Sequence, residues 1–373
     1  MKNPEAYTNK YNELASDILR DIYQEDKTAN VVCSPLSVLI LLALAADSTA
    51  GKTRKEILDA IDGKLSEEDF AELIRGLQET LKESGTLKSA NAVCTDHSIE
   101  DTINRDFIPL LQKQYGGELF ASDNLAEDVN EWVKQKTDGM IYPAISNPPD
   151  NLKLALMNAV AFTADWEEEY EEEDIYDERF TCADRTVKTA DMLHGTEHEY
   201  IETKYLKGFV KPYKGGEYSF MALLPKKGNT LAAVMKRCDF TGLFSSRIDE
   251  DVYTVMPEFK YDTSRELTGY CMAAGIRTLF SDRADFSPLS SAWLKADSII
   301  HKAHIEVDRK GTRAAAVSIA MVAEGALPLD EPKTVILNRP FIYAVMHNET
   351  GLPVFAGIVN QIERKTLRRK DPE

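Results

Sequence analysis

Hydrophobic and polar residues alternate most clearly on the two sides of a long region near the end of the chain. Between His301 and Asp308, Ile305 and Val307 are separated by polar neighbours, which is typical of a half-buried strand. A second strand is predicted from Thr334 to Leu337. The residues between these two strands have a different composition, and their pattern is the most informative in the chain.

The first part of that region, residues 312–322, allows two interpretations. Three alanines followed by Val317, Ile319 and Met321 would suit a short buried helix on propensity alone. Alternatively, the run is a spare strand, because its even positions are Thr, Ala, Ala, Ser, Ala and Val and so form one uniformly small face. Such a strand could enter between two packed strands without the overpacking penalty of about 1–3 kcal/mol at each bulky position. We favour the strand.

The N-terminal pattern predicts a helix, a strand and a second helix. Residues 7–24 carry apolar side chains at helical spacing on one face. A short apolar strand begins at Asn30, and the helix after it has Ser34 as its predicted N-cap and Pro35 at its first position.

Length and charge narrow the possible functions. The 373 residues contain no Gly/Ser-rich linker, internal repeat or low-complexity segment, so we expect a single domain over residues 1–373. Lys and Arg number 44 and Asp and Glu number 62, which gives a net charge of −18. This balance argues against nucleic acid or an anionic membrane as a partner. We interpret the acidic run over residues 167–174 as a solvated loop.

The five cysteines are scattered, odd in number and without a Cys-x-x-Cys pair. They indicate neither a zinc site nor a disulfide framework, and we expect them to be reduced and mostly buried. No segment reaches transmembrane length, and the first residues do not read as a signal peptide. We therefore predict no metal and no cofactor.

One motif suggests an enzyme and needs to be weighed. His194 to His198 matches His-x-x-Glu-His, a zinc-peptidase signature that requires both histidines on one helix face. Gly195 and Thr196 lie inside it and the flanking residues alternate like strands, so we predict a hairpin turn instead. His301 and His304 are three apart on a strand and should point to opposite faces. We find no nucleophile elbow, phosphate-binding glycine loop or dinucleotide fingerprint, and predict that the protein is not an enzyme.

Several motifs together resemble the serpin family. The hinge of that family ends a strand with Glu-x-Gly-Thr-Glu-Ala-Ala-Ala, continues as a long exposed loop, and reaches a core strand at Arg-Pro-Phe. This chain has Gly311-Thr312-Arg313-Ala314-Ala315-Ala316 and later Arg339-Pro340-Phe341. Further matches include Ser34-Pro35-x-Ser37 and the Asn158, Phe162 and Trp166 spacing, and the resemblance covers the chain from about Tyr7 to Asn360.

The resemblance implies a mixed α+β fold with a large, mostly antiparallel central sheet, two smaller sheets and about eight or nine helices. It also implies an exposed reactive-centre loop over about residues 309–333. The expected function is inhibition of serine proteases by suicide-substrate trapping, in which the cleaved loop inserts as a new strand. The alternative is a non-inhibitory serpin-fold binding protein or chaperone, which the small even face of residues 312–322 disfavours.

The resemblance also assigns residues to regions. It implies a hinge at Arg309, Gly311, Thr312, Ala314 and Ala316, a shutter at Ser34, Ser37, Asn158 and His301, and a breach at Glu258 and Trp166. Most inhibitory serpins have Glu at the position of Arg309, and relatives often have Lys at that of Glu258. Because both signs are swapped here, we predict an Arg309–Glu258 salt bridge.

In serpins the reactive bond usually lies fourteen residues after the hinge glycine, so the resemblance implies a bond at Gly325-Ala326. Counting back from Arg339-Pro340-Phe341 gives a bond about four residues later. We prefer the count from the hinge, because the number of residues between the hinge and the bond sets the length of strand that can insert. A slip of one residue gives Glu324-Gly325 or Ala326-Leu327. No Arg or Lys lies between Gly325 and Pro332, which makes trypsin-like proteases poor candidates. Small residues at Ala323, Gly325 and Ala326, with Val322 ahead of them, suit an elastase-like or subtilisin-like serine protease, and a glutamyl endopeptidase acting at Glu324 is left open. The resemblance further implies a monomer and an extracellular location, with a cytoplasmic one left open.

Overall fold

The computed structural model describes residues 4–62, 72, 74–76, 86–143, 152–296, 299–312 and 333–363. The predicted reactive bond and its alternatives, Glu324 to Leu327, lie outside these ranges, as do Ala314 and Ala316 of the hinge.

Eight α-helices have both ends within the described residues. They are α1 (Pro4–Glu25), α2 (Pro35–Asp47), α3 (Gly51–Asp62), α4 (Phe107–Tyr115), α5 (Leu125–Lys136), α6 (Leu231–Met235), α7 (Phe240–Ser245) and α8 (Thr268–Ala273). Short 3-10 helices cover His97–Thr102, Glu172–Asp174 and Thr278–Phe280.

Sixteen strands are present in the same ranges. In chain order they are β1 (Val31–Cys33), β2 (Leu87–Asp96), β3 (Glu118–Ser122), β4 (Leu154–Phe162), β5 (Ala164–Asp165), β6 (Ile175–Thr181), β7 (Val187–Glu202), β8 (Leu206–Pro212), β9 (Tyr218–Pro225), β10 (Ile248–Pro257), β11 (Phe259–Glu266), β12 (Ile300–Val307), β13 (Gly311–Thr312), β14 (Lys333–Ile336), β15 (Phe341–His347) and β16 (Leu352–Val359).

The chain divides into two compact units, and the first comprises residues 1–18, 33–162 and 262–304. Its three-stranded sheet has the order β3-β2-β4, with β2 antiparallel to β4 and parallel to β3. Helix α5 covers this sheet by packing Val129, Trp132 and Val133 against Cys94 and Ala159. Helix α2 is apolar on every side and is buried along almost its whole length, as expected for a core helix.

The second unit comprises residues 19–32, 163–261 and 305–373. Its nine-stranded sheet has the order β1-β16-β15-β9-β8-β7-β10-β14, with β6 paired to β7. Neighbouring strands from β16 to β10 run antiparallel, as do β6 and β7, whereas β14 runs parallel to β10. Buried aromatic rings fill its core; for example, Phe220 and Tyr343 stack with centroids 5.6 Å apart. Strands β5 and β13 form a separate antiparallel pair, and β11 and β12 form another two-stranded sheet.

The structure confirms the mixed α+β fold with a large, mostly antiparallel sheet, smaller sheets and about the predicted number of helices. The strands predicted on either side of the loop are β12 and β14, and the helix predicted over residues 7–24 is α1. Ser34 caps α2 by accepting a hydrogen bond from the Ser37 N–H, with Pro35 following it. The expected single domain over residues 1–373 stays a prediction. All five cysteines are buried, as expected, and each is outside a disulfide.

One local prediction is wrong. The segment from His194 to His198 is not a hairpin turn but lies inside the sixteen-residue strand β7. Gly195 occupies this strand because a Cβ there would lie 2.9 Å from Cε1 of Tyr170, whose ring packs over the glycine. The glycine therefore marks a close ring contact and not a turn.

No helix within the described residues is both long enough and apolar enough to cross a membrane.

Candidate functional site: the hinge and its anchors

The hinge begins immediately after β12, and its main chain is fixed by neighbouring segments of the second unit. The N–H of Trp166 donates to the carbonyl of Lys310 at 2.8 Å, and the N–H of Tyr170 donates to the carbonyl of Arg309 at 2.9 Å. Beyond them, Gly311 lies opposite Asp165 and Thr312 opposite Ala164 in the β5–β13 pair. Arg309 and Lys310 are therefore held by main-chain hydrogen bonds, and Gly311 and Thr312 already form a two-residue strand.

Asp308 shapes the turn between β12 and β13. Its Oδ1 accepts hydrogen bonds from the N–H groups of Lys310 at 2.8 Å and Gly311 at 3.1 Å. Its own N–H donates to the carbonyl of Gly311 at 3.0 Å. This residue was not among those predicted from the sequence, although aspartate three residues before a glycine is a turn signal that could have identified it.

Gly311 is required by the close approach of two backbones. A Cβ at this position would lie 2.2 Å from the carbonyl oxygen of Ala164 and 2.6 Å from Cα of Asp165. Any other residue would push β13 away from β5, so the glycine of the hinge motif has a steric reason in this chain.

The side chain of Trp166 contacts the turn between β12 and β13. Its ring is fully buried and stacks on Tyr213 with centroids 4.5 Å apart. Its Nε1–H donates to the carbonyl of Asp308 at 2.9 Å. The breach residue named from the sequence therefore contacts the hinge directly.

A buried ion pair supports the same aromatic residues. Nζ of Lys211 lies 2.8 Å from Oε1 of Glu197, and the two side chains are only 5% and 6% exposed. Lys211 also lies over the rings of Tyr170, at 4.5 Å, and Trp166, at 5.5 Å. Burial raises the pKa of Glu197, while Lys211 opposes that shift. The pair was not predicted from the sequence because residues 197 and 211 meet only through the pairing of β7 with β8.

The predicted Arg309–Glu258 salt bridge is wrong, because Glu258 contacts the backbone of Arg309 and not its guanidinium. The carboxylate Oε1 of Glu258 accepts a hydrogen bond from the backbone N–H of Arg309 at 3.1 Å. The guanidinium instead points toward Glu172, with Nη1 4.0 Å from Oε1. Burial raises the pKa of Glu258, and the hydrogen bond from Arg309 opposes this rise. The two residues do meet, but through a backbone contact that any residue at position 309 except proline could make.

Three of the four shutter residues lie together in the first unit. The backbone N–H of Ser34 donates to Nε2 of His301 at 3.0 Å, and Oγ of Ser34 accepts from the N–H of Ser37. Burial lowers the pKa of His301 to about 4. His301 is therefore a neutral acceptor on one face of β12. His304 lies three positions further along the strand, so it points to the other face, where its side chain is 10% exposed and contacts Asp262, as predicted.

The fourth shutter residue, Asn158, has different partners. Its Nδ2 donates to Oδ1 of Asn91 at 2.7 Å and to Oγ of Ser89 at 3.3 Å, across the β2–β4 pair. Its own Oδ1 is buried and has no hydrogen-bond partner among the described residues. An unsatisfied buried acceptor of this kind costs about 1–3 kcal/mol, which makes the position a candidate for a change of partner.

The His-x-x-Glu-His segment does not form a metal site. Along a strand, His194 and His198 are separated by about 13 Å, too far for one ion. His194 contacts Tyr253 and His198 contacts Asp251. Within the described part of the chain, no three His, Cys, Asp or Glu residues are grouped so that they could hold a metal.

Comparisons with known proteins agree with this arrangement. The family described as "Serpin (serine protease inhibitor)" matches residues 9–362. The leukocyte elastase inhibitor of Equus caballus is 30% identical over 370 residues, which cover 92% of this chain and 96% of the relative. An uncharacterized serpin-like protein of Thermococcus kodakarensis is 28% identical, with coverage of 90% and 82%. The crystal structure of the thermophilic serpin tengpin in its native state has a TM-score of 0.87 at 30% identity, covering 96% of this chain and 94% of tengpin. The protein is thus a member of the serpin family.

Proposed function

We propose that this chain is a suicide-substrate inhibitor of serine proteases and not itself an enzyme. The reactive-centre loop after Thr312 is offered as a substrate, cut once, and inserted as a new strand that continues β13. Membership of a family described as serine protease inhibitors supports the general function. The mechanism rests on the contacts at the hinge.

The observation that carries the proposal is the register of β13 against β5. Gly311 lies opposite Asp165 and Thr312 opposite Ala164, so each pair of residue numbers adds up to 476. Continued without a bulge, this register would place residue 322 opposite Leu154, the first residue of β4. The small-faced run over residues 312–322 therefore has the length needed to pair along both β5 and β4.

The small face of residues 312–322 also matches one face of β4. Directly opposite residues on antiparallel strands point to the same side of a sheet. The even positions from 312 to 322 would therefore share a face with the even positions of β4. The odd positions of β4 contact helix α5, with Ala159 in that core and Ala155 and Met157 at its edge. The uniformly small face would thus be directed to the side of β4 away from α5, where bulky groups would be hardest to accommodate.

The chemical step requires only the protease. Its serine hydroxyl attacks the carbonyl carbon of Gly325, the serine proton passes through the protease histidine to the amide nitrogen of Ala326, and the peptide bond breaks. The protease is left as an ester on Gly325, and the new amino terminus of Ala326 departs with the C-terminal segment. Insertion of the freed strand then removes the protease before water can hydrolyse the ester.

Insertion is driven by the new strand. Eleven positions over residues 312–322 would add roughly ten ladder hydrogen bonds, each worth about 1 kcal/mol net, together with the burial of apolar side chains. The reactive-loop sequence predicts the partner, since Val322, Ala323, Gly325 and Ala326 suit the shallow pockets of elastase-like and subtilisin-like proteases. The name of the equine relative, leukocyte elastase inhibitor, supports the elastase class. A monomer and secretion remain expectations from the family.

The test is to incubate the purified protein with a pancreatic-type elastase and with subtilisin. We expect a covalent complex that survives denaturant, a C-terminal fragment that begins at Ala326 by mass spectrometry, and a sharply higher melting temperature of the cleaved protein. A one-residue slip would give a fragment that begins at Gly325 or Leu327. Cleavage without a covalent complex and without a rise in melting temperature would contradict inhibition and favour a non-inhibitory binding protein or chaperone.

A further inference from the structure

A group of aromatic side chains lies on one face of the nine-stranded sheet, in the second unit. We call the surface formed by Tyr176, Glu178, His194, Tyr253 and Ile336 the aromatic patch. Its members come from the neighbouring strands β6, β7, β10 and β14. The rings of Tyr176 and His194 meet edge to face with centroids 4.8 Å apart, and those of His194 and Tyr253 meet at 6.0 Å.

His194 contacts both tyrosines of the patch. Its Nδ1 lies 2.5 Å from the hydroxyl of Tyr253, and its ring meets that of Tyr176 edge to face. Its Nε2 lies 3.1 Å from Oε1 of Glu178 but makes no hydrogen bond among the described residues. Fixed tyrosines lose little conformational entropy on binding, which is one reason that they are common at protein interfaces.

Three large side chains of the patch are exposed, and no described part of the chain covers them. Tyr176 is 53% exposed, Tyr253 40% and Ile336 36%. Single exposed apolar residues are ordinary, but several on adjacent strands form a contiguous surface of the kind that marks interaction sites.

Glu178 supplies the carboxylate of the patch, while the ammonium of Lys207 is engaged beside β14 by donating to the carbonyl of Thr334. Glu178 is 40% exposed, and its carboxylate and that of Asp174 both act on the phenol of Tyr253, whose pKa is raised first by burial and then by these charges. An exposed tyrosine face beside a carboxylate suits a cationic side chain, which gains both a cation–π contact and an ion pair. The complementary partner surface is therefore basic.

The patch lies at the C-terminal base of the reactive-centre loop. Thr334 of β14, the second residue after the undescribed segment, is directly opposite Tyr253 in the parallel pairing of β14 with β10. From Ala326 to Thr334 the chain advances eight residues, which span at most about 28 Å. A protease domain of about 200 residues has a radius of gyration of about 16 Å. A protease bound at the predicted bond is thus within reach of the aromatic patch.

We propose that the aromatic patch is a second docking surface for the target protease, which is a serine protease with basic side chains beside its active-site cleft. This inference rests on the proposed inhibitory function and adds a determinant of partner choice outside the loop. Docking at the patch acts before cleavage, so it raises the rate of association. It does not affect the division between trapping and release that follows cleavage.

The test compares three variants with the wild type: Tyr176→Ala/Tyr253→Ala, Glu178→Gln, and Trp293→Ala as the control. Trp293 is 92% exposed and is not a member of the patch, so its variant removes an exposed aromatic ring and leaves all five patch residues unchanged. The probe is an elastase of net positive charge. The measured quantities are the association rate constant at low and high salt, the stoichiometry of inhibition and the melting temperature.

We expect the double tyrosine variant to associate about tenfold more slowly, because truncated interface anchors commonly cost a factor of this size. Its stoichiometry of inhibition should equal that of the wild type. Glu178→Gln should associate more slowly at low salt and lose part of the salt dependence. Trp293→Ala should behave as wild type.

Unchanged association rates in both patch variants, with covalent complexes still forming, would overturn the docking surface and leave the inhibitory function standing. The docking surface would equally be wrong if Trp293→Ala slowed association as much as the patch variants do. If the wild type itself forms no covalent complex with the elastase or with subtilisin, the proposed function fails and the docking surface fails with it.

Discussion

Glu258 binds the main chain of Arg309 and not its side chain, with Oε1 of the carboxylate 3.1 Å from the backbone nitrogen. The swapped charges at these two positions therefore do not form the ion pair that their signs suggest. The hinge is held through backbone groups, since Trp166, Tyr170, Asp308 and Glu258 each bond to the main chain of residues 308–311. Such a hinge depends on the groups that donate to and accept from its main chain more than on the side chain of Arg309.

This arrangement predicts an asymmetric response to truncation. Arg309→Ala keeps the backbone N–H and should change the free energy of unfolding by less than about 0.5 kcal/mol, as for other exposed charges. Glu258→Ala leaves the N–H without its acceptor and should cost about 1–2 kcal/mol. Glu258→Gln retains an acceptor for this N–H, so its loss in free energy of unfolding should lie between those of Arg309→Ala and Glu258→Ala. Equal losses in Arg309→Ala and Glu258→Ala in urea unfolding would support the side-chain ion pair instead.

The sequence predicts the strands and the helix cap at this site well, because each depends on a local pattern. Alternation identifies β12 and β14, and the Ser34-Pro35 start identifies α2. Contacts that bring distant strands together are not visible in the sequence. The Lys211–Glu197 pair is an example. Another is the ring of Tyr170 over Gly195, a contact that gives this glycine a packing role inside the continuous strand β7.

The buried Lys211–Glu197 pair predicts that the free energy of unfolding falls strongly when only one of the two partners is removed. Lys211→Met would leave the carboxylate of Glu197 buried without its cation, which commonly costs about 3–5 kcal/mol. The double variant Lys211→Met/Glu197→Gln removes both charges and should recover much of that loss. Thermal unfolding of the two variants beside wild type is the measurement, and a double variant no more stable than Lys211→Met would contradict the pairing as the cause.

The proposed insertion predicts that adjacent alanines of the loop tolerate charge differently. Ala314→Arg would place a guanidinium on the small even face, where insertion buries it without a partner, and should slow insertion so that most of the protein is cleaved as a substrate. Ala315→Arg would add its charge to the odd face, which already carries Arg313, and should still trap protease. The stoichiometry of inhibition measures the difference. Similar values for the two variants would show that the even face is not the buried one.

The same register predicts a new partner for Asn158. Continuing from Thr312 opposite Ala164 places Ser318 opposite Asn158, whose buried Oδ1 has no partner among the described residues. We expect Ser318→Ala to lower the stability of the cleaved protein by about 1 kcal/mol while leaving the uncleaved protein unchanged. Ser318→Thr keeps the hydroxyl and serves as the control. A loss of stability in the uncleaved protein, or none in the cleaved one, would place Ser318 elsewhere.

His301 predicts how stability responds to acid. In the folded protein its pKa is lowered by burial from 6.5 to about 4, so the unfolded chain binds the proton more readily between those values. Stability contributed by the neutral ring is therefore present above pH 6.5 and is lost as the pH falls toward 4. Protonation would also set an N–H of the ring against the backbone N–H of Ser34, which now donates to Nε2.

The expected loss from His301 between pH 7 and pH 5 is about 2 kcal/mol, from the linkage between the two pKa values. Glu197 and Glu258 act in the opposite direction, because an acid whose pKa is raised by burial contributes more stability as the pH falls. A comparison with His301→Gln separates these effects, since glutamine offers an acceptor to Ser34 but does not titrate. Urea unfolding at pH 7 and pH 5 should show the wild type losing about 2 kcal/mol more than the variant. Parallel losses in the two proteins would show that the pKa of His301 is not lowered in the folded protein.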